Sequence, residues 1–247
     1  MANELIIGLC TSNSRLSAAV YDGQKFRRSR HKIFNQEKIL FRTLGLLLPE
    51  GKKLSDVKKV CVVRGPGRFT GLRIALTFAA AMKVLNGAEV LTFTLFELFA
   101  AQLAESEDFL RMSAGVPGDK IVAVLLHAFK DEYFRQYFRV PPGGRPEAEG
   151  APAWLPVEKL KEELAGKKDI FCAVADSEEK EDIYSLLPEN VLRASAGVSR
   201  LRPEYLIRTA LACGKCDLKP LYLKPARYET DRIARNSFRA AETGGGK

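Results

Sequence analysis

The chain has 247 residues, 46% of them apolar and 28% charged, and its basic excess leaves a formal charge of +9 at pH 7. This balance predicts a soluble, globular protein of one large or two small domains. No apolar run nears the roughly 20 residues of a bilayer span, so a membrane protein is excluded. No basic stretch precedes the first apolar run, which predicts no signal peptide. Five cysteines, an odd number without an export signal, predict reduced thiols in the cytoplasm.

Leu5–Leu9 is continuously apolar and predicts a buried strand. Cys10-Thr11-Ser12-Asn13-Ser14 is a polar turn, and Leu16–Val20 a second strand. A hairpin at Tyr21–Gln24 leads to a third strand, Lys25–Lys32. Arg27, Arg28, Arg30, His31 and Lys32 give that strand a wet, basic face. Asn35-Gln36-Glu37 opens a helix to about Leu48, with Ile39, Leu40, Leu44, Leu47 and Leu48 on one stripe and Phe41 and Leu46 off it. Val60–Val63 is the next strand, and it breaks on Gly65-Pro66-Gly67. A helix then opens, with Thr70 as its expected N-cap and Asn86-Gly87 as its end. Strand, glycine turn and helix N-terminus together suit an anion. Arg64, Gly65, Gly67 and Thr70 are therefore candidates for proximity to a nucleotide or phosphate, and the superfold resemblance given below adds Thr11 and Ser12. Neither generic phosphate motif fits: no Lys-Ser/Thr follows Gly71, and the third glycine comes one residue too late for the dinucleotide fingerprint. A tight turn in an α/β core would account for the same glycines.

The helix Thr70–Leu85 is apolar nearly all round, so it is either core or interface. The small side chains of Ala79, Ala80 and Ala81 would permit close helix approach. Ala88–Phe93 reads as a strand, and Thr94 with Glu97 as a capping box for a helix to about Ala104. Residues 105–118 read as a hinge between two halves. The second half predicts strands at 121–126, 133–140, 170–175 and 191–194. It predicts helices at 156–165, 178–187 and from Pro203 to Cys213, and a surface loop at 141–152. His127 sits on a hairpin with no nucleophile or carboxylate partner visible, so a loop histidine outweighs a general base. Cys213 and Cys216 have C-x-x-C spacing; a zinc site would need a second ligand pair, which two distant histidines do not supply, while a redox pair and two incidental thiols both stay open. Residues 226–247 carry four arginines against three acids and read as a flexible basic tail, or as an arm touching RNA or a partner.

The run Arg64-Gly65-Pro66-Gly67-Arg68-Phe69-Thr70-Gly71-Leu72-Arg73-Ile74 resembles the Gly-Pro-Gly-Ser-Phe-Thr-Gly-Leu-Arg-Ile signature of the bacterial TsaB (YeaZ) family, with Arg68 in place of Ser. That family takes part in making threonylcarbamoyladenosine in tRNA. The resemblance implies the actin-like ATPase superfold (sugar kinase, Hsp70 and actin), as two α/β lobes at 1–108 and 109–225. It implies a non-catalytic scaffold that binds TsaD, the transferase acting on adenosine 37, in an assembly joined by the ATPase TsaE. The interface to TsaD, or to a second copy, would involve Glu37, Leu40, Leu44, Phe69, Leu72, Arg73, Leu76, Ala79, Ala80 and Lys83. No cofactor is expected on this chain alone; ATP or ADP and a metal would come with the partners, and tRNA contact through the complex.

Three departures mark the chain as divergent. Cys10 replaces the Asp that ends the first strand, Asn35 a usual His, and Phe129 a usual Arg. A thiol does not replace a carboxylate for a hard cation such as magnesium, which argues against independent nucleotide hydrolysis. Two unclustered histidines and no His-Glu-x-x-His give no support to a metalloprotease. A stand-alone actin-like ATPase or kinase and a tRNA-binding module remain the alternatives, the latter favoured by the basic strand and tail.

Overall fold

A computed structural model describes residues 4–224, so the expectation about the basic tail lies outside the described residues. Two five-stranded sheets carry the fold. The first holds β1 (Leu5–Cys10), β2 (Arg15–Tyr21), β3 (Phe26–Lys32), β4 (Val57–Gly65) and β5 (Glu89–Thr94), in the order β3-β2-β1-β4-β5. The second holds β6 (Lys120–Phe129), β7 (Glu132–Val140), β8 (Glu147–Pro156), β9 (Ile170–Ala175) and β10 (Leu192–Arg193), in the order β8-β7-β6-β9-β10. In each, the first three strands pair antiparallel and the last two join in parallel. One topology is thus used twice, although the sequence shows no repeat.

Six α-helices complete the described chain: α1 (Glu37–Leu47), α2 (Phe69–Asn86), α3 (Leu95–Ala104), α4 (Glu107–Ser113), α5 (Val157–Gly166) and α6 (Tyr205–Cys213). Successive strand residues point to opposite faces, and the core divides accordingly. Leu5, Ile7 and Leu9 of β1 and Val60 and Val62 of β4 pack with α1 and α2 on the outer side. Ile6, Cys10, Cys61 and Val63 face the other way, onto α3, α6 and the second sheet's Val122, Val124, Phe138 and Val174. Helices α3 and α6 therefore lie between the sheets in one continuous core. Leu160 and Leu164 of α5 cover the far face of the second sheet. No helix among the described residues is long and apolar enough to cross a membrane.

Several boundaries differ from the sequence reading. Helix α2 begins at Phe69, one residue before the expected cap; Arg68 holds the N-cap position, with no side-chain cap, so Thr70 lies in the first turn. The expected hinge contains α4, capped by Ser106 accepting from the Phe109 N–H. The expected loop at 141–152 runs into the edge strand β8. Its prolines signal a loop, but a sheet edge tolerates them because one side of an edge strand bonds to nothing. Residues 178–187 form turns and a short 3-10 segment, Ile183–Leu186, instead of a helix. There the Tyr184 hydroxyl accepts from the Ala175 N–H, tying the segment to the end of β9. Past residue 204 the chain, expected within the second lobe, returns to the first: α6 packs on β1, β2, β4 and β5, and Lys215 bridges Thr92.

Phe99 is fully buried in the core shared by both sheets. Phe99→Ala should cost about 3–5 kcal/mol, read by urea unfolding. A single transition is expected for wild type and variant alike; two separate transitions would mean that the lobes do not share their core.

Candidate functional site

The two candidate regions are the turn after β1 and the outer face of α1 and α2. The turn is built by close backbone approach. The Gly65–Pro66 peptide is cis, and Gly65 and Gly67 have φ of 141° and 156°. A Cβ on Gly67 would collide with Ser12, and one on Gly71 with the Thr11 carbonyl. Their absence lets the start of α2 rest directly on the β1–β2 turn. The Arg68 N–H donates to the Ser12 carbonyl at 2.7 Å, and the Thr11 hydroxyl donates to the Gly71 carbonyl at 2.6 Å. Thr11 and Ser12 are buried. Arg64 is drawn the other way, paired with Asp217 at 3.2 Å, while its carbonyl accepts from the Leu221 N–H. Thr70 is exposed. Of the six phosphate candidates, the structure thus brings Thr11, Ser12 and Gly67 together, places Gly65 against Leu221, and sends the side chains of Arg64 and Thr70 elsewhere.

The second lobe closes over this turn with carboxylates. Glu179 accepts from the Ser14 N–H at 3.2 Å, from the Ser14 hydroxyl, and from Arg15 at 3.1 Å. These are the donors that the turn would offer to an anion, and a side chain of the same molecule takes them. Glu178 pairs with both Arg15 and Arg30. Asp176, at the end of β9, is buried, accepts from the Asn13 amide at 3.2 Å, and has its other oxygen without a partner. Burial, reinforced by the neighbouring charge of Glu179, pushes its carboxyl up to about 7. Sequence reading passed over Asp176, Glu178 and Glu179. The available signal was an acidic run at the carboxyl end of a parallel strand, where α/β sheets gather polar function.

Cys10 is buried with its Sγ 3.1 Å from the Ser12 hydroxyl, and burial raises its thiol to about 11. A protonated thiol beside hydroxyls already engaged does not suit a hard divalent cation, which takes oxygen ligands. Among the described residues no group of three or more His, Cys, Asp or Glu side chains could hold a metal. His127 lies near the tip of the β6–β7 hairpin, its Nε2 2.9 Å from the Lys130 carbonyl. Phe129 is exposed, with the Lys130 and Lys224 ammonium groups over its ring. The C-x-x-C thiols take separate partners: Cys213 donates to the Thr209 carbonyl, and Cys216 accepts from Lys83. Burial raises Cys213 to about 11, the opposite of a reactive thiolate.

On the outer face, the ten expected interface residues divide. Leu40, Leu44, Leu72, Leu76 and Ala79 are core, holding α1 and α2 to the sheet. Glu37, Phe69, Arg73 and Lys83 are exposed, and Ala80 is half-buried. Phe41, Leu46, Val84 and Leu85 join them, at 63%, 76%, 82% and 79% exposed. At the start of α2, Phe69 stacks on Tyr222 with ring centroids 5.2 Å apart, and the Arg73 guanidinium lies over the Phe69 ring, 5.3 Å from its centroid.

Two α/β sheets of one topology, with helices between and outside them, define the two-lobed actin-like ATPase fold. Residues 38–109 match the family model described as TsaD: tRNA N6-adenosine threonylcarbamoyltransferase. Among solved structures, YeaZ from Pseudomonas aeruginosa superposes with a TM-score of 0.68 at 23% identity, covering 89% of this chain and all of that one. A second structure from Pseudomonas aeruginosa, an uncharacterized protein with similarity to peptidase YEAZ, gives 0.63 at 22% identity over 90% of this chain and all of that one. No curated protein matches the chain. The resemblance to TsaB (YeaZ) carried by residues 64–74 is thus matched by a common fold over nearly the whole chain.

Two outcomes follow from the turn. Gly71→Ala should destabilise by about 1–3 kcal/mol through overpacking, measured by thermal melting. Asp176 binds its proton more tightly in the folded state than at its ordinary value of 3.8. Stability therefore falls as pH rises from about 4 to about 7, by at most about 1.4 kcal/mol per pH unit. Asp176→Asn should remove that slope, so its melting temperature gains on wild type across this window and holds the gain above it. A difference independent of pH would show that Asp176 ionises freely.

Proposed function

We propose that this chain acts in the synthesis of threonylcarbamoyladenosine in tRNA, as a non-catalytic subunit that binds a TsaD-type transferase through the outer face of α1 and α2. The observation that carries the proposal is a coincidence of place. The stretch that matches the TsaD family model, residues 38–109, contains both helices whose outward sides display Phe41, Leu46, Phe69, Val84 and Leu85. Isolated exposed apolar residues need no explanation, whereas several on two adjacent helices mark an interaction surface. Arg73 and Lys83, exposed on the same helix, supply a charged rim. The shared fold with YeaZ and the signature at residues 64–74 support the same reading.

A supporting role also agrees with the chemistry of the cleft. The polar turn spends the Thr11 hydroxyl on α2 and the Ser14 hydroxyl and N–H on Glu179. In this proposal any nucleotide and metal belong to the partners, TsaD and a TsaE-type ATPase, and this chain supplies shape.

The test is co-expression with the TsaD of the same genome, followed by size exclusion with light scattering. Wild type should elute as a complex, and Leu46→Glu combined with Val84→Glu, both at exposed positions, should dissolve it while the melting temperature stays within a degree or two. An unaltered complex in the double variant would remove the α1–α2 face from consideration, and no complex with wild type would sink the scaffold reading.

A further inference from the structure

The basic strand β3 does not end at solvent. Its alternate residues Arg28 and Arg30 form one wall of a groove whose other wall is the segment before α6, with Arg200 and Arg202. The groove has a volume of about 370 Å³ and brings together an edge strand of the first lobe and a loop of the second. Four arginines line it, together with one acid, Glu204. That carboxylate is buried and shared, taking Arg28 at 3.3 Å and Arg202 at 2.8 Å. Arg30 pairs with Glu178, which it shares with Arg15. Arg200 has no ion-pair partner among the described residues and is exposed. The acids therefore hold Arg28, Arg30 and Arg202 in place and offset part of their charge, while Arg200 keeps its full charge and every guanidinium keeps unengaged donors.

We propose that this groove binds the phosphodiester backbone of RNA. Three features of the groove favour phosphate chains. All of its cations are arginines, whose planar fork suits phosphate oxygens better than a lysine ammonium does. Arg28 and Arg30 alternate along β3, so their Cα atoms are about 7 Å apart, comparable to successive phosphates of an extended strand. Glu204 and Glu178 hold Arg28, Arg202 and Arg30 in advance, which lowers the ordering cost of binding. The net charge of +9 would add long-range attraction. The site lies apart from the α1–α2 face, so it stands whether or not the chain binds a transferase.

The experiment uses the full chain and a fluorescently labelled single-stranded RNA, with anisotropy followed between 50 and 200 mM salt. Arg200→Glu is the main variant, because it leaves no buried acid unpaired, and Lys58→Glu, exposed and on another strand, is the charge-matched control. Arg200→Glu should weaken binding about tenfold at fixed salt and flatten the log–log salt slope by about 0.7, the single-strand value for one phosphate contact. Lys58→Glu should leave the slope unchanged. Equal losses in both variants would overturn the proposal in favour of bulk charge. Displacement of the RNA by polyglutamate at equal charge concentration would overturn it in favour of an acidic protein partner, and displacement by inorganic phosphate at low millimolar concentration in favour of a free-anion site. A wild type that binds no RNA would end it.

Discussion

The constraint on which the structure depends is the contact between the start of α2 and the turn after β1. It exists because Gly67 and Gly71 carry no Cβ, so backbone meets backbone at Ser12 and Thr11. The Thr11 hydroxyl and the Arg68 N–H then lock the two segments by hydrogen bonds of 2.6 and 2.7 Å. This contact fixes the angle at which α2 leaves the sheet, and hence which of its residues reach the core and which remain outside. Leu72, Ala75 and Ala79 fall inward, while Arg73, Val84 and Leu85 fall outward. A motif that sequence logic assigns to phosphate binding here makes a packing joint.

The same turn is the meeting point of the lobes. Asn13 reaches Asp176, and Ser14 and Arg15 reach Glu179, so the polar groups of the first lobe are satisfied by acids of the second. Unsatisfied groups in such a buried place would be costly, and Asp176 shows part of that cost, since its raised carboxyl and its unpartnered oxygen record incomplete compensation. The two surfaces proposed for partners lie away from this turn. One is apolar, on α1 and α2; the other is cationic, between β3 and the segment before α6.

The two sheets share a strand order, yet they differ in how their crossovers are covered. In the first lobe both β3–β4 and β4–β5 are joined by helices, α1 and α2. In the second, α5 joins β8 to β9, but only a 3-10 segment joins β9 to β10. The acid-rich stretch expected as a helix instead turns back, placing Glu178 and Glu179 against the first lobe. The missing helix and the closed cleft therefore have one cause.

Much of this was legible in the sequence. Continuous apolar runs located β1, β4, β5, β6 and β9, because buried strands need no polar face. The Thr94–Glu97 box and Asn86-Gly87 located a helix start and a helix end, because caps answer to local geometry; Gly87 does take the left-handed conformation, at φ 64°. The signature at residues 64–74 carried the fold. Other features required the folded chain. Strand β8 was hidden because edge pairing is specified by its neighbour β7 and not by its own composition. The core role of Leu72, Leu76 and Ala79 on α2 was hidden because an all-round apolar helix has no face until something packs on it. The partners of Asp176 and Glu179 lie 163 to 165 residues away along the chain, a separation that no local pattern spans. Sequence by itself determined most of the strands and helices and the family signature they resemble. Only tertiary structure decided which glycines touch, which acids fill the cleft and which arginines face one another, because those are contacts between distant parts of the chain.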